Sequence, residues 1–131
     1  MDTDTPIEDV DVFAQIGEEG FRDLTAAFYK RVKQDDILGP MYPDNDWEGA
    51  EERLRDFLVF RFGGPRRYLE KRGHPRMRRR HMPYVLNSKS RDRWLLLMGE
   101  AFEETDIPPP IRQHLFAFFT KVAHFLQNHP D

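Results

Sequence analysis

At 131 residues, with 39% apolar and 33% charged side chains, the chain has room for one buried core and is short for two. Its net charge of −3 gives no overall attraction for nucleic acid or anionic lipid, so an anion would have to be held by a local cluster. Cysteine is absent, which excludes disulfides, thiolate metal clusters, cysteine-linked cofactors and cysteine nucleophiles, and leaves histidine as the obvious soft metal ligand.

The acidic start, M-D-T-D-T-P-I-E-D-V-D, lacks the basic and apolar plan of a signal peptide, and no apolar run approaches membrane-spanning length. A cytoplasmic protein with no membrane partner is expected. Ile7, Val10, Phe13 and Ile16 recur at three-residue spacing and predict a short amphipathic helix ending near Gly17. Phe21, Leu24, Phe28 and Val32 line a second helix from about Glu18 to about Gln34, before Gly39-Pro40-Met41-Tyr42-Pro43 interrupts the chain.

With Asp46 as N-cap, Trp47, Ala50, Leu54, Phe57, Leu58 and Phe62 predict the clearest amphipathic helix, stopped by Gly63-Gly64-Pro65. The basic stretch to Gly73 reads as loop with a helical turn. Pro75 can open a short helix and Pro83 close it, which places His81 on about two turns. Ser88 or Ser90 can cap the next helix, whose inner positions include Trp94, Leu95, Met98, Ala101 and Phe102. After Pro108-Pro109-Pro110, a last helix carries Ile111, Leu115, Phe118, Phe119, Val122 and Leu126, with Phe116 and Ala123 widening its stripe. No stretch alternates for long, so the fold class is all-α, as a single domain over residues 1–131.

Neither a nucleophile elbow nor a phosphate-cradling G-x-x-x-x-G-K is present, which removes the ordinary hydrolase and nucleotide readings. Of five histidines, His114 and His124 read as solvated positions and His129 lies in a tail. His74 and His81 are seven residues apart, but Pro75 weakens any helical pairing between them. Spacing alone leaves His81 open between a surface residue and a ligand. It also leaves Tyr29, Tyr42 and Trp94 as ordinary core aromatics.

The basic run Arg66, Arg67, Lys71, Arg72, Arg76, Arg78, Arg79 and Arg80, flanked by Tyr68 and Tyr84, has three readings. It can be a nucleic-acid patch, a solvated face, or in part a clamp for the carboxylates of an anionic cofactor.

Ordered motifs separate these alternatives: F-Y at 28–29, L-x-x-x-Y-P at 38–43, A-E-E-R-L at 50–54, G-G-P at 63–65, R-G-H-P at 72–75, R-H-x-P-[FY] at 80–84 and R-D-x-W-L at 91–95. Through them the chain resembles the group II truncated haemoglobins over nearly its whole length. The resemblance implies a globin-like two-over-two helical sandwich around haem b, with His81 as the iron's protein ligand. It places Tyr29, Tyr42 and Trp94 on the side of the bound gas and Ala50 where other globins carry a distal histidine. Leu54, Phe57 and Leu58 would form an apolar wall, and Met98 would pack with Met77, Met82, Val85 and Leu86. Arg53 and Arg80 match positions that meet haem propionates.

The expected ligands are dioxygen, nitric oxide or peroxide. Nitric oxide dioxygenation or peroxide reduction would need an external electron donor, and dioxygenation a separate reductase, since no flavin- or nicotinamide-binding pattern is present. Ligand sensing or oxygen storage without turnover is the alternative. Nucleic acid is not an expected partner.

Overall fold

The computed structural model describes residues 8–42, 44–65, 70 and 87–127, with Val10 described by its main chain alone. Along these residues the chain forms α1 (Asp9–Val32), a 3-10 turn (Gly39–Met41), α2 (Trp47–Arg61), α3 (Ser88–Glu104) and α4 (Pro109–Leu126), and no strand occurs among them. Helix α1 packs against α2 and α3, and α3 packs against α4.

The expected break at Gly17 is a kink inside α1, where the residue takes φ 64° and ψ −174°. Nothing lies within 4 Å of a Cβ added there. Backbone conformation therefore accounts for this glycine, since positive φ with ψ near 180° is a region that essentially only glycine adopts. Asp9 and Asp11 in the first turn and Lys30 and Arg31 in the last suit the helix dipole.

Past the kink, Phe21, Leu24, Phe28 and Val32 are all wholly buried, as their spacing requires. Before it the stripe differs from the expected one. Val12 is wholly buried, while Phe13 and Ile16 are half-buried. The kink changes the direction of this first segment, and the Phe13 amide donates to the Phe62 carbonyl at 3.2 Å, which ties the start of α1 to the end of α2. Ile7 and the Val10 side chain lie outside the described residues.

Two caps differ from expectation. Asp46 precedes α2 without capping it; its carboxylate instead pairs with Arg53 at 2.9 Å. Helix α3 is capped by Asn87, whose Oδ1 accepts from the Ser90 amide at 3.0 Å, so Ser90 is capped and does not cap. In α4 the prolines occupy the first turn, where amides have no intrahelical partner to lose.

On α2, Ala50, Phe57, Leu58, Val59 and the following Phe62 are buried, and the carboxylate-bearing Asp56 is buried with them at 2% exposure. The inward side of α2 is thus wider than the periodic stripe implied. Met98, Ala101 and Phe102 of α3 and Ile111, Leu115 and Phe119 of α4 complete the core. No helix among the described residues is long and apolar enough to cross a membrane.

Candidate functional site

The Phe28-Tyr29 pair, four helical residues before the end of α1, places one ring on each side of a small aromatic cluster. Tyr29 is 5% exposed and its ring meets Tyr42 edge-on, with centroids 5.6 Å apart. Tyr42 follows the 3-10 turn directly in extended conformation, which carries it away from the turn and toward α1. Trp47, the first residue of α2, closes the group at 5.3 Å from Tyr42 and 6.5 Å from Tyr29. Sequence periodicity had assigned Trp47 only to a packing stripe; its membership of the tyrosine group carries no local signal.

Trp94 of α3 joins from the other side. Its ring lies 5.0 Å from Phe28 and 5.4 Å from Phe119, and Phe28 lies 5.1 Å from Tyr29. The fold therefore brings Tyr29 and Tyr42 together directly and reaches Trp94 through Phe28. Met98, one turn further along α3, is wholly buried.

Burial raises the pKa of the Tyr29 hydroxyl well above the usual phenol value, and the neighbouring Tyr42, through its charge and the hydrogen bond the two hydroxyls share, raises it further. Tyr29 accordingly keeps its proton across the physiological range and remains a hydrogen-bond donor.

Helix α2 supplies Ala50 at 4%, Phe57 at 8% and Leu58 at 0% exposure, with Leu54 half-buried against the same core. Arg53 leans back to Asp46, its side chain 39% exposed. His81, Arg80, Met77, Met82, Val85, Leu86, His74, His129 and the whole basic run with Tyr68 and Tyr84 lie outside the described residues. Among the described residues, no group of three or more His, Cys, Asp or Glu could hold a metal ion.

Sequence reading passed over a carboxylate that braces this region. The Asp35 side chain is 3% exposed. Its Oδ2 accepts from the amides of Ile37 (3.0 Å) and Leu38 (2.9 Å), and its Oδ1 accepts from Arg93 Nε (2.5 Å). Burial pushes this carboxyl up, but the Leu38 amide, the Arg93 guanidinium and the Ile37 amide together outweigh it and hold the group below its ordinary value. One carboxylate thus fixes both the turn leading to Tyr42 and the residue preceding Trp94. The amide spacing in D-D-I-L is an Asx-turn signal; the Arg93 contact, 58 positions away, has none.

His114 corrects the solvated reading. Its Nε2 lies 2.8 Å from Asp9 Oδ1, and its ring meets Phe62 at 6.2 Å. His124 is exposed, as expected, with Nδ1 2.9 Å from the Thr120 carbonyl.

A family model described as bacterial-like globin matches residues 11–128. The group 2 truncated hemoglobin of Bacillus subtilis strain 168 is 33% identical over 119 residues, covering 91% of this chain and 89% of the relative. Among solved structures, the thermostable hemoglobin of the actinobacterium Thermobifida fusca superposes with a TM-score of 0.86 at 42% identity, over 95% of this chain and all of that one. A structure described as truncated oxygen-avid haemoglobin from Bacillus subtilis superposes with a TM-score of 0.85 at 32% identity, over 89% of this chain and 98% of that one. The all-helical architecture matches the globin-like fold of these structures.

Proposed function

Given that the chain belongs to the bacterial-like globins, in the group II truncated haemoglobin branch whose members hold haem and bind dioxygen and other small gases, we propose that it retains dioxygen tightly and reacts with the ligand it holds. The observation that carries this reading is the buried Tyr29 hydroxyl, kept protonated and joined to Tyr42.

The described part of the chain suits such a group. Tyr42, Trp47, Leu54, Trp94 and Leu95 are half-buried beside a closed core, with apolar side chains still to be covered. Ala50, where the resemblance puts the distal position of other globins, is a small buried residue. In this reading His81 holds the iron of haem b and Arg53 and Arg80 meet its propionates. Leu54, Phe57 and Leu58 wall the gas side, and Met98 packs beneath. Haem, when bound, supplies reversible coordination of a diatomic gas with partial transfer of negative charge to it. Donors facing that charge stabilise the liganded form.

A net hydrogen bond contributes about 0.5–1.5 kcal/mol. Two or three from Tyr29, Tyr42 and Trp94 would contribute roughly 2–4 kcal/mol, slowing release about thirty-fold to several hundred-fold. Release that slow suits chemistry on the ligand better than carriage. The relative described as oxygen-avid is consistent with it. Nitric oxide dioxygenation would use the retained dioxygen and a separate reductase. Peroxide reduction is favoured by a specific feature, the contiguous oxidisable rings of Tyr29, Tyr42 and Trp47.

The test is dioxygen dissociation from the haem-loaded protein, with nitric oxide and peroxide turnover measured on the same preparation. Tyr29→Phe and Trp94→Phe should each speed release about tenfold, the equivalent of one bond worth roughly 1.4 kcal/mol. Unchanged release in both variants would remove the distal donors from the account. Slow release without turnover of either substrate would favour sensing or storage. His81→Ala should lose the wild-type ferrous spectrum, and its retention would overturn the ligand assignment.

A further inference from the structure

Trp47, Tyr42 and Tyr29 touch pairwise, with centroid separations of 5.3, 5.6 and 6.5 Å. Exposure rises along the group, from the buried Tyr29 to the half-buried Tyr42 and Trp47. The ammonium of Lys33, an exposed residue at the end of α1, stands 6.0 Å from the centre of the Trp47 ring. The group therefore runs from an interior hydroxyl to a place a solute can reach.

Tyrosine and tryptophan are the side chains that give up an electron most readily, and rings in contact let an electron pass without large motion of the chain. The inward branch from Tyr29 meets Phe28 before Trp94, and a phenylalanine ring is not oxidised under comparable conditions. The outward branch is oxidisable at every ring. Along it, the Tyr29 and Tyr42 hydroxyls share a hydrogen bond, so that a hydrogen atom can pass from one phenol to the phenoxyl radical of the other, leaving the first as the radical.

We infer that Trp47 is a surface oxidation site, where a phenol or hydroquinone too large to approach the gas ligand delivers electrons that Tyr42 and Tyr29 pass inward. The residues on either side of Trp47 are Asp46, paired with Arg53, and Glu48, which Lys33 over the ring offsets, so no charge dominates and the donor is an uncharged one. The inference rests on the peroxide reading. Hydrogen peroxide takes up two electrons and two protons and leaves as two waters. One hydroquinone supplies both electrons and both protons and becomes the quinone; two phenols supply the same and become two phenoxyl radicals. Trp47 ends each cycle in its starting state.

The experiment mixes the ferric haem-loaded protein with hydrogen peroxide while following the Soret band, then examines it by freeze-quench electron paramagnetic resonance and peptide mass mapping. Without a donor, a tryptophanyl signal and oxygen addition at Trp47 are expected; a dextran-linked hydroquinone should suppress both, and cyanide on the iron should prevent both. Trp47→Phe should lose the tryptophanyl signal and oxidise the dextran-linked donor about tenfold more slowly per loaded haem, and Trp47→Tyr, still oxidisable, should recover most of that rate. A Soret response with Trp47 unmodified, or an undiminished rate in Trp47→Phe, overturns the inference while the peroxide reading stands. A wild-type Soret band that does not respond to peroxide overturns both.

Discussion

The aromatic residues divide between two regions that use similar rings differently. Around Phe62 the rings are mainly hydrocarbon, with Phe21 at 6.0 Å, Phe118 at 4.9 Å and, beyond Phe118, Phe119 at 5.7 Å, and the His114 imidazole stands at 6.2 Å. Polar groups stay at its rim, where Arg61 lies over Phe62 and Phe118 at 5.2 and 4.9 Å while pairing with Asp9, which also meets His114. Around Tyr29 the neighbouring rings carry O–H and N–H groups into partly or wholly buried positions. Phenylalanine would pack as well there without the cost of a hydroxyl taken from water. The first region holds the helices together; in the second, the Tyr29 and Tyr42 hydroxyls share a hydrogen bond, and the proposed gas ligand would be a further partner for them.

The largest expected effect tests the packing region. Phe62→Ala removes a wholly buried ring at the junction of α1, α2 and α4, and should lower unfolding free energy by about 3–5 kcal/mol in urea titration. Tyr29→Phe, which keeps the ring and drops the hydroxyl, should cost no more than about 1.5 kcal/mol. If the two variants were equally destabilised, the distinction between the regions would fail.

Two carboxylates sharpen the comparison by pH. The unfolded chain titrates Asp near pH ~3.9, and a carboxyl held below that value in the fold contributes stability that is present above the unfolded value and lost as pH falls through the folded one. Asp35 and Asp9 both follow this sign. For Asp9 the Arg61 hydrogen bond lowers the value most, burial opposes it and His114 adds to the lowering. Asp35→Asn should therefore flatten part of the acid-side loss of stability below about pH 4, measured by thermal unfolding against pH. Asp9→Asn should do the same more weakly and fade with added salt, because its side chain is 42% exposed. A greater effect at Asp9 would show that the bracing of Tyr42 and Trp94 through Asp35 matters less than the clasp on the Phe62 region.

Local sequence determined the described helices, the break at Gly17 and the buried face Phe21, Leu24, Phe28 and Val32, because periodicity and backbone preference act over a few residues. Ordered motifs also single out Tyr29, Tyr42 and Trp94. Tertiary structure alone decided that Trp47 joins the tyrosines, that Asp35 holds Arg93, and that His114, 105 positions from Asp9, is bonded to it. Periodicity reports which side of a helix is apolar. How helices cross sets which ring meets which and which charge is partnered, and that depends on packing between segments distant in the chain.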